Sequence, residues 1–386
     1  MSPSPTFAQA TKVWARIGCL SFGGPAGQIA LMHREIVDER KWLSEQQFLS
    51  ALNFCMLLPG PEAMQLATYS GWRLHGVRGG LVAGLLFVLP GALVVLALSM
   101  LYAAFGNLPW VEAIFFGVKA AVLAIVIEAL LRVARRALKG TLDWLIAGVA
   151  FLALYCFDVP FPLIIIAAGL VGFLRSSAAD TSPATLRPSF TKLFSTSATW
   201  AAIWLMPLAL LAITLGMDHV LTKIGIFFSQ LAVVTFGGAY AVLSYMAQSA
   251  VESHGWLTAP EMIDGLALAE TTPGPLILVT QFVGYLAALR GMGSVWGGLA
   301  GAAITLWMTF APCFLWIFAG APYIEHISRM PRLSGALAAI TAAVVGVILN
   351  LSLWFGLHVL FARVNRGEGP FKPWLPDWQT LDIAAL

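Results

Sequence analysis

Charge is what this chain has least of. Asp, Glu, Lys and Arg make up 11% of its residues, against about 25% in a soluble domain. That scarcity excludes an ordinary water-facing surface. It also excludes nucleic-acid binding, because no basic face exists to follow phosphates. The formal net charge of +3 names no partner. Cysteine is scarce too. Cys19, Cys55, Cys156 and Cys313 all sit in apolar stretches and form no CxxC pair, so they read as packing residues and not as a disulfide frame or metal site. The six histidines make no HExxH spacing, and no Walker A sequence is present. The chain therefore carries no motif for zinc hydrolysis or for ATP as energy source. No metal, no cofactor and no enzymatic activity are expected. Lys12 and Arg16 interrupt the first apolar run, which argues against a cleavable signal peptide.

What is present is apolar. Hydrophobic residues make up 59% of the chain, and the mean hydropathy is +0.83. This is the composition of an all-α polytopic membrane protein. A spanning helix needs about 20 mostly apolar residues. Candidate segments lie at 7–32, 44–72, 79–105, 109–131, 142–157, 160–174, 199–217, 223–249, 258–289, 293–320 and 333–361. A polar stretch, RSSAADTSPATLRPSFTK, covers 175–192. The organisation reads as a repeat over 1–174, a linker over 175–198, a second repeat over 199–361 and a tail over 362–386. The tail, rich in Pro and Trp, reads as lying in water or at the membrane interface.

The repeat is visible in short matches. SFGG at 21–24 returns as TFGG at 235–238, WLS at 42–44 as WLT at 256–258, and PGP at 59–61 as PGP at 273–275. All three recur at one offset of 214 residues. Ser44 with Gln47, and Thr258 with Glu261, both predict capping boxes at helix starts. Loop charge suggests how the halves are oriented, because basic short loops stay in the cytoplasm. Arg132, Arg135, Arg136 and Lys139 put one loop inside, which leaves the uncharged GNLP at 106–109 outside. The matching loop of the second half, HISRMPR, carries Arg329 and Arg332 and reads as cytoplasmic. The two homologous halves are therefore expected as inverted-topology repeats. The tail residues Arg363, Arg366 and Lys372 disagree, since that reading puts them outside.

Inverted repeats with broken helices are a recurrent transporter plan, with the solute bound where the breaks meet. Four breaks are predicted, at FGGP 22–25, PGP 59–61, FGGA 236–239 and PGP 273–275. A half-helix that starts at such a break presents backbone N–H groups to an anion. Pro61 and Pro275 suit a first turn. Gly23, Gly24, Gly60, Gly237, Gly238 and Gly274 allow close backbone approach, with Pro25 beside the first pair. The blander alternative is that Gly and Pro only kink and pack membrane helices; two symmetric pairs of breaks favour a site. Intramembrane charges are costly and usually functional. Glu62 directly follows one PGP and Glu270 precedes the other. Both are candidates for proton coupling, because burial raises a carboxylate's pKa. Arg16 and Lys119 are candidate anion partners, with a structural ion pair as the alternative for Lys119. Gln65 and Gln281 could donate amide hydrogen bonds to a ligand or tie helices together. Glu128 reads as a solvated or paired end residue. The loop MHREIVDERKW at 32–42, balanced in charge, reads as a solvated connection.

The stretches 22–91, 235–246 and 269–285 together resemble the chromate transporter family, and the two-half layout extends the resemblance over most of the chain. On those motifs the resemblance carries over Gly23, Gly24, Pro25, Pro59, Gly60, Pro61, Glu62, Gly237, Gly238, Pro273, Gly274 and Pro275. It implies a secondary active transporter, multi-pass in the cell (inner) membrane, that exports chromate and couples to the proton gradient. Sulfate or another tetrahedral oxyanion is the alternative cargo, since it offers the same oxygens. Lipid is the other partner, and a homodimer is allowed. The halves are not equivalent: Ala239 stands where Pro25 does, and Leu276 where Glu62 does.

Overall fold

The computed structural model describes all residues except 1–4, 23, 107, 109–123, 125, 129, 177–189, 237–238, 325–329, 362, 368–370 and 382–386. Gly23, Lys119, Gly237, Gly238, Arg329, most of segment 109–131 and most of the linker lie outside the described residues. The rest is almost wholly helical. In chain order the helices are α1 (Phe7–Cys19), α2 (Gly24–His33), α3 (Glu45–Leu57), α4 (Glu62–Phe105), α5 (Thr141–Phe157), α6 (Phe161–Arg175), α7 (Phe190–Leu215) and α8 (Val220–Val234). They continue as α9 (Ala239–Gln248), α10 (Ala259–Thr271), α11 (Val279–Met292), α12 (Val295–Gly320) and α13 (Pro331–Leu360). A short hairpin of β1 (Val364–Arg366) and β2 (Trp374–Pro376) follows.

Each sequence segment that held a break is two helices. Segment 7–32 is α1 and α2, 44–72 is α3 and the start of α4, 223–249 is α8 and α9, and 258–289 is α10 and α11. The 13-residue α3 and α10 rise about 20 Å each, short of a hydrocarbon core of about 30 Å. Both predicted capping boxes form. Ser44 N–H donates to Gln47 Oε1 at 3.0 Å and Thr258 N–H to Glu261 Oε2 at 2.8 Å. The 44 residues of α4 are not one rod. His75 and Gly76 leave helical geometry, with Gly76 at φ +63°. Gly71 and Gly79 then pack carbonyl against Cα, so that a Cβ on Gly71 would lie 2.3 Å from the Gly79 oxygen. The chain folds back there into two antiparallel arms. In the second half Gly293, at φ +62°, joins α11 to α12, and Gly284 meets Gly301 as closely.

A feature absent from the sequence reading is a pair of π-turns, Arg34–Glu39 and Ser249–Ser253. They fall at the same repeat positions. Trp42 N–H donates to Ile36 O and Trp256 N–H to Ala250 O, each at 2.8 Å. The first π-turn overturns the expectation of a solvated loop at 32–42. Glu35 is fully buried there, and Arg40 Nη1 meets its Oε2 at 2.5 Å while Arg16 Nε lies 3.6 Å from Oε1. The extra residue of a π-turn rotates Glu35 inward, and two guanidiniums compensate its charge. His33 bonds Glu45 at 2.7 Å and Asp38 at 3.2 Å. These carboxylates, Glu45 foremost, hold its pKa above the usual value.

The chain forms two compact units that do not follow chain order. One comprises Met1–Ala104, Thr181–Gly238 and Leu268–Arg329; the other comprises Phe105–Asp180, Ala239–Ala267 and Met330–Leu386. In the first, α12 packs on α11, α8 and α7. Helix α7 keeps its apolar side chains outward, with Ile213 83% exposed, as a lipid-facing helix does. In the second unit α13 packs on α5, α6 and α9. The tail hairpin belongs to this unit and docks on it. Lys372 N–H donates to Cys156 O at 2.7 Å, and Trp374 is buried, because an indole and the edge of a hairpin gain more against α5 than in water. Four helical stretches are long and apolar enough to cross a membrane: Glu62–Phe105, Thr191–Leu215, Val295–Tyr323 and Pro331–Leu360. Glu128, at the end of its segment, pairs with Arg132 one turn on.

Glu35→Leu leaves Arg40 half-buried without its counter-charge, a defect that costs about 3–5 kcal/mol for a buried pair. The variant is expected to melt well below the parent in detergent, while Glu39→Leu, on the exposed side of the same turn, should leave the melting temperature within a few degrees.

Candidate functional site

The first unit holds the helix breaks, and the backbone there follows from residue type. Pro59, Gly60 and Pro61 end α3 and start α4. Pro273, Gly274 and Pro275 do the same between α10 and α11, with a single 3₁₀ turn at Leu276–Leu278. Gly60 has φ +116° and Gly274 φ +97°, a region that side chains avoid. Each amide must find a partner outside its own helix. Gly60 N–H donates to Thr235 O at 2.8 Å, and Gly274 N–H donates to Ser21 O at 2.7 Å. Thr235 and Ser21 occupy the same position in the two repeats, so each half satisfies the break of the other. The acceptors are built alike as well. Ser21 Oγ donates to Ile17 O and Thr235 Oγ1 to Leu231 O, both at 2.6 Å, and these bonds close α1 and α8 just before the breaks.

Packing around the breaks is reciprocal too. A Cβ on Gly60 would lie 2.9 Å from Cys313 Sγ and 2.8 Å from Gln65 Nε2. A Cβ on Gly91 would lie 2.3 Å from Pro273 O and 3.0 Å from Gly274 Cα. Gly91 follows Pro90 inside α4, and Cys313 follows Pro312 inside α12. Each kinked long helix thus abuts the break of the opposite repeat.

Two glutamines brace these loops. Gln65 is fully buried and its Nε2 donates to Pro59 O at 2.7 Å. Gln28, on α2, is 1% exposed and its Nε2 donates to Gly274 O at 2.6 Å. Gln281 is also buried. The Oε1 atoms of Gln65 and Gln281 have no hydrogen-bond partner among the described residues, which is unusual for buried acceptors. Gly24, at φ +68°, and Pro25 open α2. Glu62 is the first residue of α4, where the helix dipole favours a negative charge. Glu270 sits in the last turn of α10, where the dipole opposes one. The structure thus brings Gly60, Gln65, Glu62 and Pro61 together at one break and Gly274 and Pro275 at the other. Arg16 ends α1, largely exposed and paired with Glu35. Gly60 and Gly274 do not offer their own amides to a ligand, because Thr235 and Ser21 take them. Helix geometry leaves the amides of the first turn beyond each break without a carbonyl one turn back.

A family model described as the chromate transporter matches residues 8–173 and 222–384. The chain belongs to the chromate transporter family. The chromate transport protein of Cupriavidus metallidurans is 32% identical over 349 residues, which cover 90% of this chain and 82% of the relative. That of Pseudomonas aeruginosa is 35% identical over 351 residues, 90% of this chain and 80% of the relative. An uncharacterised transporter of Bacillus subtilis is 30% identical over 159 residues, 40% of this chain but 89% of its own length, so one repeat's worth of this family exists as a separate protein. No solved structure matches the chain. Family membership and the four long apolar helices identify it as a membrane protein.

Sequence reasoning missed Gln28, Gly91 and Cys313. Gln28 lies four residues from Gly24 and could have been found as the polar residue nearest the first break. Gly91 and Cys313 could have been found only as the residues after matching prolines, at an offset other than 214.

Gly60→Ala meets both a forbidden φ and two fixed neighbours, so its cost should be about 2–4 kcal/mol. Gly216→Ala, at φ +86° with open space around it, should lose about 1–2 kcal/mol. Thermal unfolding of the two variants in one detergent compares them directly; equal losses would mean that Cys313 and Gln65 do not hold the break.

Proposed function

We propose that the chain is a secondary active transporter that exports chromate across the inner membrane, with energy from the proton gradient. The observation that carries this reading is the reciprocal pair of broken helices in the first unit. Gly60–Thr235 and Gly274–Ser21 hold two short half-helices open inside an apolar body, and irregular backbone in such surroundings is tolerated where it is buried or lines a cavity. Half-helix N-termini suit a tetrahedral dianion. The relatives' names supply the cargo.

The repeats run in opposite senses through the membrane in this reading. Exchange of equivalent bonds between Gly60, Thr235, Gly274 and Ser21 is what a two-fold relation produces, and the basic loop Arg132–Arg136 gives one end of the axis its side. The anion sits at the second break in preference to the first. There Leu276 replaces Glu62, so no carboxylate competes for the positive helix end. Arg16, Arg40 and Glu35 carry a surplus of one positive charge, which attracts an anion toward the first unit; Lys119 would add another cation. Glu62 and Glu270 exchange the proton. Gly23, Gly237 and Gly238 let backbone approach the cargo, and Gln65 and Gln281 turn amide groups toward it. One repeat rocks against the other to change the side of access.

Everted vesicles that contain the purified chain should accumulate chromate, and an uncoupler should abolish the accumulation. Unaltered accumulation with the uncoupler would remove proton coupling. Excess sulfate that blocks uptake more strongly than it binds as a competitor of chromate in the relatives would make sulfate the cargo. Glu62→Gln should flatten the pH dependence of uptake; a pH profile unchanged from the parent would take the proton away from Glu62.

A further inference from the structure

Three charges meet in the second unit without a part in the reading above. Asp158 caps α5 in the left-handed region, at φ +54°. Glu252 lies in the second π-turn. Arg366 ends β1 of the tail hairpin. Arg366 Nη1 lies 2.9 Å from Asp158 Oδ1, and Nη2 lies 3.5 Å from Glu252 Oε2. The guanidinium stacks 4.2 Å over the Trp374 ring, and Gln248 Nε2 reaches Asp158 Oδ1 at 3.4 Å. The cluster is shielded: the side chains of Arg366 and Glu252 are 18% and 27% exposed.

The charges do not balance. Two carboxylates face one guanidinium, so full ionisation leaves a surplus negative charge in a poorly solvated place. A proton relieves it at least cost. Glu252 is the carboxyl that takes it, because it is farther from Arg366 and less exposed than Asp158, whose side chain is 46% exposed. The other π-turn has the opposite arithmetic, one carboxylate between two guanidiniums, and needs no proton.

We propose that Asp158, Glu252 and Arg366 form a proton-binding site, with the proton on Glu252, whose occupancy sets how firmly the C-terminal hairpin grips the second π-turn. The site is independent of the transported ion. Burial lifts the Glu252 pKa from 4.5 to about 7; Arg366 pulls it down, Asp158 pushes it up, and Gln248 and Trp354 lower it by hydrogen bonding. Beyond these groups, His358 stands 4.3 Å from the Trp354 ring and 5.8 Å from the Trp374 ring. His254 follows Glu252 by two residues and stacks on Trp256. The sign follows from linkage. The docked state holds its proton more tightly than a solvated carboxylate does, so docking is firmest below the ordinary carboxylate pKa. It weakens as pH rises through the docked value and levels off above it.

Hydrogen exchange on the full-length protein in lipid nanodiscs tests this at residues 364–366 and 374–375, with rates corrected for intrinsic pH dependence. Opening of the hairpin should rise about tenfold between pH 6 and pH 8. Glu252→Gln should hold it near the pH 6 level at both values. Asp158→Asn removes the surplus carboxylate and should also erase most of the step. Opening that does not change with pH in the parent chain would overturn the proposal without any variant. Retention of the full step in Glu252→Gln would overturn it as well.

Discussion

Everything in the first unit depends on the partners of two backbone amides. In an apolar medium an unpaired N–H costs several kcal/mol, and a Pro-Gly-Pro break strips its helix of internal partners. Gly60 and Gly274 solve this across the repeats, with Thr235 and Ser21 as acceptors. The positive φ angles at both glycines turn the N–H groups outward to reach them. Neither repeat can then close its own break. A duplicated chain is a physical requirement of this arrangement, since the acceptor for one half is supplied by the other.

The symmetry stops at the side chains, and the departures share a direction. Gln28, Gln65, Glu35, Arg40 and Glu62 all belong to the first repeat. Their counterparts 214 residues on are Val242, Val279, Ser249, His254 and Leu276. Both breaks are braced by glutamines of the first repeat, one at its own Pro59 and one at Gly274. The second repeat supplies matched backbone in an apolar setting; the first supplies the polar groups. The second π-turn received a different charge, Glu252, and its counter-ion comes from the tail and not from its own repeat.

Much of this was legible in residue order. Gly and Pro act locally through allowed φ and the missing N–H, so each predicted break appears at its quoted stretch, and S-x-x-Q and T-x-x-E cap the helices they precede. Glu62 stood out because a charge beside PGP is conspicuous in an apolar run. Glu35 did not, because three acids and three bases within a few residues resemble a solvated loop. Its burial is decided by a π-turn, a one-residue change of phase that pattern does not encode. The tail misled for a similar reason. Its Pro, Trp and charges look like an interfacial strand until Arg366 and Trp374 meet Asp158 and α5.

By itself the sequence determined the membrane character, the duplication at 214 residues, the four breaks and the unmatched Glu62. These rest on composition, on local backbone sterics and on exact recurrence, all of which act within a few residues. Only the tertiary structure decided who satisfies whom. Gly60 with Thr235, Gly274 with Ser21, Gln28 with Gly274, and Arg366 with two distant carboxylates are bonds between residues up to about 250 positions apart. Such bonds are set by where helices cross, and a helix crossing depends on side-chain shape summed over many neighbours.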